Sequence, residues 1–499
     1  MKDFENRQQT EEEKGINRQE ETGYEFDFGE ETPPSPSSQP QEQGQPAPPQ
    51  GGDFSARRAS QPARQNEKKH KRAWAAVGIA LGLIASYFVG YFSYSAGLDS
   101  EMRSLIKTKD AIQDLYYDEV TDEQFYNVLF GAINNQLLDP YSAYMNADEF
   151  AAFLADAEGI WSGLGISFST QDEKGNAQLL ITRVSGNSPA ERAGLTEGTY
   201  IVGYGETETQ LTYDAKYEDF LAFVDGKEAD EAFTLAIKKE GVEEKISIAK
   251  EAFVENYVFY RTNKTAYRFT GEDALTETEW QNPLTALDDD TAYIRLTLFN
   301  GNAAKQFKTA MKRFKEEGKK HLVLDLRENG GGYMDILQEI ASYFCKNASS
   351  QKPLIAKAKY KDGDVDKFEA NGNYYGSYFS ADSKIRLLAD HNTASASECL
   401  IGCMIDYGTL TYADICLSER QGVAKTYGKG IMQSTYPLRF LGQIDAIKLT
   451  TAKIFWPISE TCIHDRGVLP DDGCFTVKEN YQKDAELTAA LALFQGQKG

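Results

Sequence analysis

The sequence predicts a mixed α/β protein (α+β in its layering) behind a disordered tail and one membrane-spanning helix. Three observations lead there. The first 72 residues hold eight of the fifteen prolines and almost no aliphatic side chains. Ala73 to Leu98 then run without a charged residue. Beyond that run, helical periodicity gives way to short strands and then to strand–helix alternation, the pattern of a core with helices packed on a sheet. At 499 residues the chain is long enough for two or three domains. Its formal charge of −23 argues against nucleic-acid binding, which needs a basic footprint.

The opening segment, with runs such as TPPSPSSQPQEQGQPAPPQ, cannot bury enough apolar surface to offset its ordering entropy, so residues 1–72 are expected to be a disordered tail. Residues 73–98 exceed the roughly 20 residues of helix that cross a bilayer. Lys68, Lys69, Lys71 and Arg72 precede them and Asp99 and Glu101 follow, which places the N-terminus in the cytoplasm and the rest outside. Trp74 at one end and Tyr87, Phe88, Tyr91, Phe92 and Tyr94 towards the other read as interfacial aromatics. The rival is a cleaved signal peptide with Ser93 and Ser95 as small cleavage positions; the long preceding tail and the length of the apolar run count against it. The expectation is a single-pass protein of the cell membrane. Gly78, Gly82, Ser86 and Gly90 recur every four residues, a stripe by which two such helices can pair, and this leaves a homodimer open.

Residues 99–158 read as helices: MRSLIKTKDAIQDLYY, DEQFYNVLFGAINNQL with Asp122 as a candidate cap, and ADEFAAFLADAE. A β-rich module follows over residues 159–252. Its strands are SGLGISFS, AQLLITRV, TYIVGYG, EAFTLAIKK and EKISIAK, with a turn GNSPAERAGL and a short helix YEDFLAFV. This order resembles a PDZ domain, with GLGI and GNSPAERAGL as the motifs of its protease-associated type. The amides of Leu164, Gly165 and Ile166 then become candidates to hold a terminal carboxylate, and the adjoining strand edge to pair with the peptide. A small β-domain without a ligand is the plainer alternative.

Residues 253–499 form the remaining domain. After a poorly patterned connector over residues 255–290 come the strand TAYIRLTLFN, the helix KQFKTAMKRFKEE, the strand HLVLDLR, the loop ENGGG and the helix YMDILQEIASYF. Gly330, Gly331 and Gly332 let backbone approach a ligand closely, and no GK[ST] follows to make the loop a phosphate site. The strand KIRLLAD leads into TASASECLIGC, whose small residues stand at the mouth of a helix. Ser395 there is either a nucleophile on a tight turn or an ordinary helix cap. A nucleophilic serine needs a base. His391 is close in sequence, but no carboxylate is evident to orient it. GxSxG is absent, and SxxK pairs such as Ser104 to Lys107 fall beside the membrane segment. In TYGKGIMQ, Lys429 stands between two glycines that give it freedom to point inward, with Gln433 on the same face. It serves as base only if burial draws its pKa from about 10.4 towards roughly 7–8; otherwise it is a solvated surface lysine.

The set LDLRENGGG, TASASE, TYGKGIMQ and LTTAKIFWP…RGVLPDD, with DPYSAYM ahead of the β-rich module, resembles the carboxyl-terminal processing peptidases, or tail-specific proteases. The resemblance covers residues 99–480. It implies a crotonase-like β–β–α spiral protease core with an inserted PDZ domain, and a serine–lysine endopeptidase that acts on proteins with apolar C-terminal tails without a cofactor. It assigns Ser395 as nucleophile, Lys429 as base, and Gln433 and Glu398 as supports. The oxyanion donors it implies are the amide of Ala396 and that of Gly331 or Gly332. The sequence departs from the pattern at residues 411–424, where ADICLSERQGVA lengthens the approach to Lys429. It departs again at residues 268–290, and Gly330 stands where a proline is usual. A catalytically inactive membrane scaffold that binds tails is the competing reading, supported by the first of these departures.

The six cysteines, 345, 399, 403, 416, 462 and 474, all follow the apolar run, so disulfides are open without assigned partners. Cys399 and Cys403 share a helix face as small core residues. The histidines, 70, 321, 391 and 464, are scattered, and neither HExxH nor CxxC occurs, so no metal is expected.

Overall fold

The computed structural model describes residue 86 and residues 97–494, except 172–176, 214–215, 240, 272–273, 421, 441–442 and 479–483. The tail and nearly all of the 73–98 segment therefore lie outside the described residues. Among the described residues no helix is long and apolar enough to cross a membrane.

The expected helices form at Ser100–Leu115, Asp122–Ala132 and Ala147–Glu158. Asp122 is not the cap of the second. Thr121 holds that place in a reciprocal box with Gln124, because an extended residue just outside the helix can turn its hydroxyl back to the third amide.

The main sheet has eight strands. Their order is Thr276–Glu279, Ala266–Thr270, Val258–Arg261, Thr291–Leu296, His321–Asp325, Ile385–Ala389, Ile415–Glu419 and Phe475–Lys478. From Thr291–Leu296 onward all neighbours are parallel, and the first three strands extend the sheet antiparallel. Side chains alternate across such strands. On one face Ile294, Leu296, Leu322, Leu324, Leu387 and Leu417 meet helices Ala303–Glu316, Met334–Ala341 and Ala396–Asp406 through Phe307, Met311, Leu337, Ile340 and Leu400. On the other face Tyr293, Val323, Leu388 and Cys416 meet Leu487 and Ala490 of the helix Ala485–Phe494. Both faces are covered, which is why the central strands read as unbroken apolar runs.

Two departures noted in the sequence gain a structural account. Residues 411–424 supply the strand Ile415–Glu419, paired on both sides within the main sheet next to its last strand. Residues 268–290 supply part of the hairpin Ala266–Thr270/Thr276–Glu279, and the connector before them supplies Val258–Arg261. These strands escaped pattern reading because their alternation is interrupted by Arg261, Arg268 and Trp280, which stack on one another: the two guanidinium carbons lie 4.5 and 4.9 Å from the indole ring.

A second sheet joins Ala143–Met145, Gln443–Phe455, Leu354–Tyr360 and Val365–Glu369 in that order, with Ile431–Phe440 paired to Gln443–Phe455 as a long hairpin. The β-rich module has its own core, including Leu164, Leu179, Ile181, Phe220, Val224 and Leu235. Its sheet runs Ile166–Gln171, Ala177–Val184, Tyr200–Gly205, Phe233–Lys239 and Val242–Ile248. It reaches the rest of the chain through the ribbon Ile160–Gly163/Glu251–Val254 and ion pairs Glu191–Arg268 at 2.7 Å and Glu197–Arg295 at 3.1 Å.

Candidate active site

Two loops leave neighbouring parallel strands at their carboxyl ends, where ligands of open α/β sheets bind. One follows His321–Asp325 and carries the three glycines; the other follows Ile385–Ala389 and carries Ser395. Asn329 laces them together. Its carbonyl accepts from the Ala394 N–H at 2.9 Å and the Ser397 hydroxyl at 3.0 Å, and its Oδ1 accepts from the Gly331 N–H at 2.9 Å. Its own side-chain amide donates to the Leu296 carbonyl at 2.8 Å.

Ser395 stands immediately before the helix Ala396–Asp406 with φ +57° and ψ −115°. A non-glycine residue held there carries backbone strain of about 1–3 kcal/mol, which the surrounding structure must offset. Gly331 explains the tightness of the site. A Cβ added to it would lie 2.7 Å from Ser395 Cβ and 2.9 Å from the Ala396 nitrogen, and its φ of +103° already excludes most side chains. We expect Gly331→Ala to lower kcat about 100-fold, since displacement of about 1 Å at a reacting centre costs that much. Turnover of the variant beside an unchanged circular dichroism spectrum checks this.

Glu398 is the joint of the site. Its side chain is fully buried and faces four donors. The Thr426 hydroxyl at 2.5 Å and the Gly428 N–H at 2.8 Å reach Oε1, while the Ser395 N–H at 3.0 Å and the Lys429 N–H at 2.9 Å reach Oε2. Burial pushes its carboxyl pKa up, and these same bonds pull it back. One carboxylate thus fastens the serine segment to the lysine segment across about thirty residues of sequence.

Lys429 is half-buried just before the strand Ile431–Phe440. Desolvation lowers its amine pKa below the ordinary lysine value, and the Lys448 charge lowers it further. Its Nζ lies 4.8 Å from the ring centre of Tyr141, in the DPYSAYM segment, a contact that favours the charged form against those two effects. The flanking glycines serve close packing as well as the expected backbone freedom, which Gly428 uses at φ +89°. A Cβ on Gly428 would meet the Gly467 nitrogen at 2.9 Å, and one on Gly430 the His464 nitrogen at 2.7 Å. Thr426 and Val468 complete this brace, Val468 N–H donating to the Thr426 hydroxyl at 2.7 Å.

Gln433 differs from expectation. Its side-chain amide donates to Thr450 Oγ1 at 3.1 Å, and among the described residues it makes no bond to the Lys429 amine. A bulge between Met432 and Gln433 shifts the register there, so the simple four-residue repeat no longer stacks one side chain on the other. His391 lies against the Tyr427 ring at 5.7 Å and is not in the cleft.

Ser395, Ala396, Gly331, Gly332, Lys429 and Gln433 line one cleft of about 620 Å³, with apolar walls from Leu298, Ile431, Met432 and Ile454. The Gly331 N–H is committed to Asn329, whereas Ala396 is in the first turn of its helix, where amides lack intrahelical acceptors. Leu164, Gly165 and Ile166 lie elsewhere, in the β-rich module. The Leu164 carbonyl accepts from the Ala190 N–H at 3.0 Å and the Gly165 carbonyl from the Ser185 N–H at 2.8 Å, and Ile166 opens an edge strand. All six cysteines are free thiols; Cys399 borders the cleft, and Cys403 is buried with its sulfur 3.7 Å from that of Cys345. Sequence reasoning missed Asn329, Thr426 and Tyr141 as site residues. All three stood inside quoted motifs or beside them, but uncharged groups that only hold others in place leave no chemical signature.

Residues 290–473 match the family described as Peptidase family S41. A CtpA-like serine protease of Staphylococcus epidermidis is 25% identical over 408 residues, covering 81% of this chain and 72% of its own. One from Staphylococcus haemolyticus is 25% identical over 397 residues, covering 79% and 69%. Among solved structures, a photosystem II D1 C-terminal processing protease overlays with a TM-score of 0.46 at 21% identity, covering 76% of this chain and 94% of its own. The molecule is a serine-type peptidase. Its residues 290–473 carry the Peptidase family S41 region, and about four-fifths of the chain is similar to CtpA-like serine proteases.

Proposed function

We propose that this protein is a membrane-anchored endopeptidase that cleaves proteins at or near their C-terminal tails with Ser395 as nucleophile and Lys429 as general base. The observation that carries the dyad is the Glu398 carboxylate, which accepts from the backbone of both residues and so fixes their segments side by side. Lys429, with its lowered pKa, takes the Ser395 proton as the hydroxyl attacks the scissile carbonyl. It returns that proton to the leaving amine, then activates water to release the acyl group. The oxyanion is held by the Ala396 amide at the helix mouth together with Gly332, since the Gly331 N–H is already engaged. Gln433 acts through Thr450 rather than by direct contact with the amine.

Tail recognition belongs to the β-rich module, read as a PDZ domain. Ile166–Gln171 is an edge strand open to β-addition. Beside it, Phe168 packs edge-on against Tyr217 and Phe220 of the helix Tyr217–Asp225, an apolar surface suited to an apolar terminal residue. The anchor is residues 73–98, and the peptidase works outside the cell. The inactive-scaffold reading loses its main support, because the lengthened segment 411–424 is a strand of the sheet rather than a distortion of the site.

The test uses the full chain in membranes with a loosely folded protein ending either in an apolar tail or in two aspartates. Mass spectrometry of new carboxyl ends should show cleavage of the first at least about 10-fold faster, the value of 1.4 kcal/mol of tail affinity. Equal rates would remove the tail-binding role, and intact substrate in both cases would restore the scaffold.

A further inference from the structure

The strand Ile415–Glu419 does more than fill the sheet, because it ends by delivering an arginine to the loops of the peptidase site. Arg420 opens a turn closed by two backbone bonds, its N–H to the Val423 carbonyl at 3.0 Å and the Val423 N–H to its own carbonyl at 2.8 Å. Its guanidinium forms an ion pair with Glu328 through Nη1 and reaches Asp390 Oδ2 at 3.5 Å through Nη2. Glu328 lies in the glycine loop, with φ +62°, one residue before Asn329. Asp390 is fully buried at the root of the Ser395 loop.

These two carboxylates are themselves cross-linked. The Glu328 N–H donates to Asp390 at 3.1 Å, the Asn392 N–H donates to Asp390 at 3.0 Å, and the Asn392 side-chain amide donates to Glu328 Oε2 at 2.6 Å. The first and third of these bonds join the same two loops that Asn329 joins nearer the nucleophile, and the second holds Asp390 within its own loop. Without the Arg420 charge between them, these two buried carboxylates would repel and push the loops apart.

We propose that Arg420 is a positioning residue of the peptidase site: its guanidinium fork ties Glu328 to Asp390 and so fixes the separation between the oxyanion backbone and Ser395. The proposal rests on the reading of Ser395 as nucleophile. The fork matters because it presents two donors in a fixed plane to two different carboxylates, whereas a lysine in its place is a point charge that engages one well. Arg420 acts through the loops and touches no substrate.

The experiment measures kcat, KM and the thermal midpoint of the full chain with Arg420→Met, Arg420→Lys, Glu328→Gln and the double variant Arg420→Met/Glu328→Gln, beside Ser395→Ala. Arg420→Met should lower kcat about 30- to 100-fold with KM little changed, the scale of an ångström-level misplacement. Arg420→Lys should recover part of kcat. The double variant removes one positive and one negative charge together, so it should regain thermal stability while kcat stays low. A kcat for Arg420→Met within about threefold of wild type, or a double variant that regains kcat along with stability, overturns the proposal. Should Arg420→Met fail to fold, the Lys and Gln variants decide: both near wild-type kcat refutes the clamp. If Ser395→Ala retains activity, the dyad itself falls; if it is inactive while Arg420 variants are normal, only this proposal does.

Discussion

Ser395→Ala and Lys429→Met should each lower kcat about 10⁴-fold or more, and the double variant should lose little beyond either single one. Groups that act as one unit fail together, because the first loss already removes the step in which both take part. The two singles should differ in stability. The folded-state pKa of Lys429 lies below its unfolded value, so charging the amine costs folding free energy at neutral pH. That cost disappears only as pH rises past the unfolded value. Methionine fills the same space without a charge, and Lys429→Met is expected to raise the thermal midpoint at pH 7. Ser395→Ala has no such gain. Equal cleavage of a loosely folded substrate by wild type and both variants would refute the dyad.

The same shift sets the pH dependence. With Lys429 as the proposed base, only the neutral amine is active, so the rate should rise with pH along an acid limb placed below the ordinary lysine value. Lys448 borders the cleft and its charge contributes to the depression. Removing it in Lys448→Met should move the acid limb to higher pH while the plateau rate at alkaline pH is little affected. A limb that stays in place would mean desolvation alone sets the amine.

How much of this was legible in the sequence follows from where the information resides. The helix Ala147–Glu158 has the bounds its periodicity predicts, while Ser100–Leu115 and Asp122–Ala132 differ from theirs at their ends, where local signals are weakest. The parallel strands Thr291–Leu296, His321–Asp325 and Ile385–Ala389 were legible as apolar runs, since both sheet faces are covered, whereas Ile415–Glu419 and Phe475–Lys478 were not. The hairpin at residues 266–279 was not, because its arginines and tryptophan satisfy one another across strands that only the fold brings together. The candidate site shows the same division. Ser395, Lys429 and Glu398 stand in motifs, but the geometry that joins them depends on contacts far apart in the chain. Gln433 shows the limit most plainly: a repeat of four suggested contact with Lys429, and one bulge redirected it to Thr450. The segment 411–424 reads in the sequence as a lengthened link before Lys429, because a strand paired only with distant neighbours has meaning only beside them.

Glu398 should prove intolerant of even its closest replacement. Each oxygen accepts two bonds, and three of the four donors are backbone N–H groups that cannot turn away. The amide introduced by Glu398→Gln must set its NH₂ group against either Gly428 or the pair Ser395 and Lys429, so donors face donors in either orientation. Thr426 can rotate its hydroxyl to help; the backbone cannot. Leaving such a buried donor unmet costs about 1–3 kcal/mol, and the strained φ of Ser395 has less to hold it. We expect Glu398→Gln to lose about 3 kcal/mol of stability by urea denaturation, and kcat to fall more than about 100-fold even well below the unfolding midpoint. Glu398→Ala should cost more on both counts. The decisive comparison is with Thr426→Val, which removes one donor to Glu398 and the acceptor of the Val468 N–H but leaves the three backbone bonds to the carboxylate. That variant should keep most of its activity, because the serine and lysine segments remain fastened to the same carboxylate. Should Thr426→Val be as inactive as Glu398→Gln, the hydroxyl rather than the backbone clasp would be what holds the two segments in place.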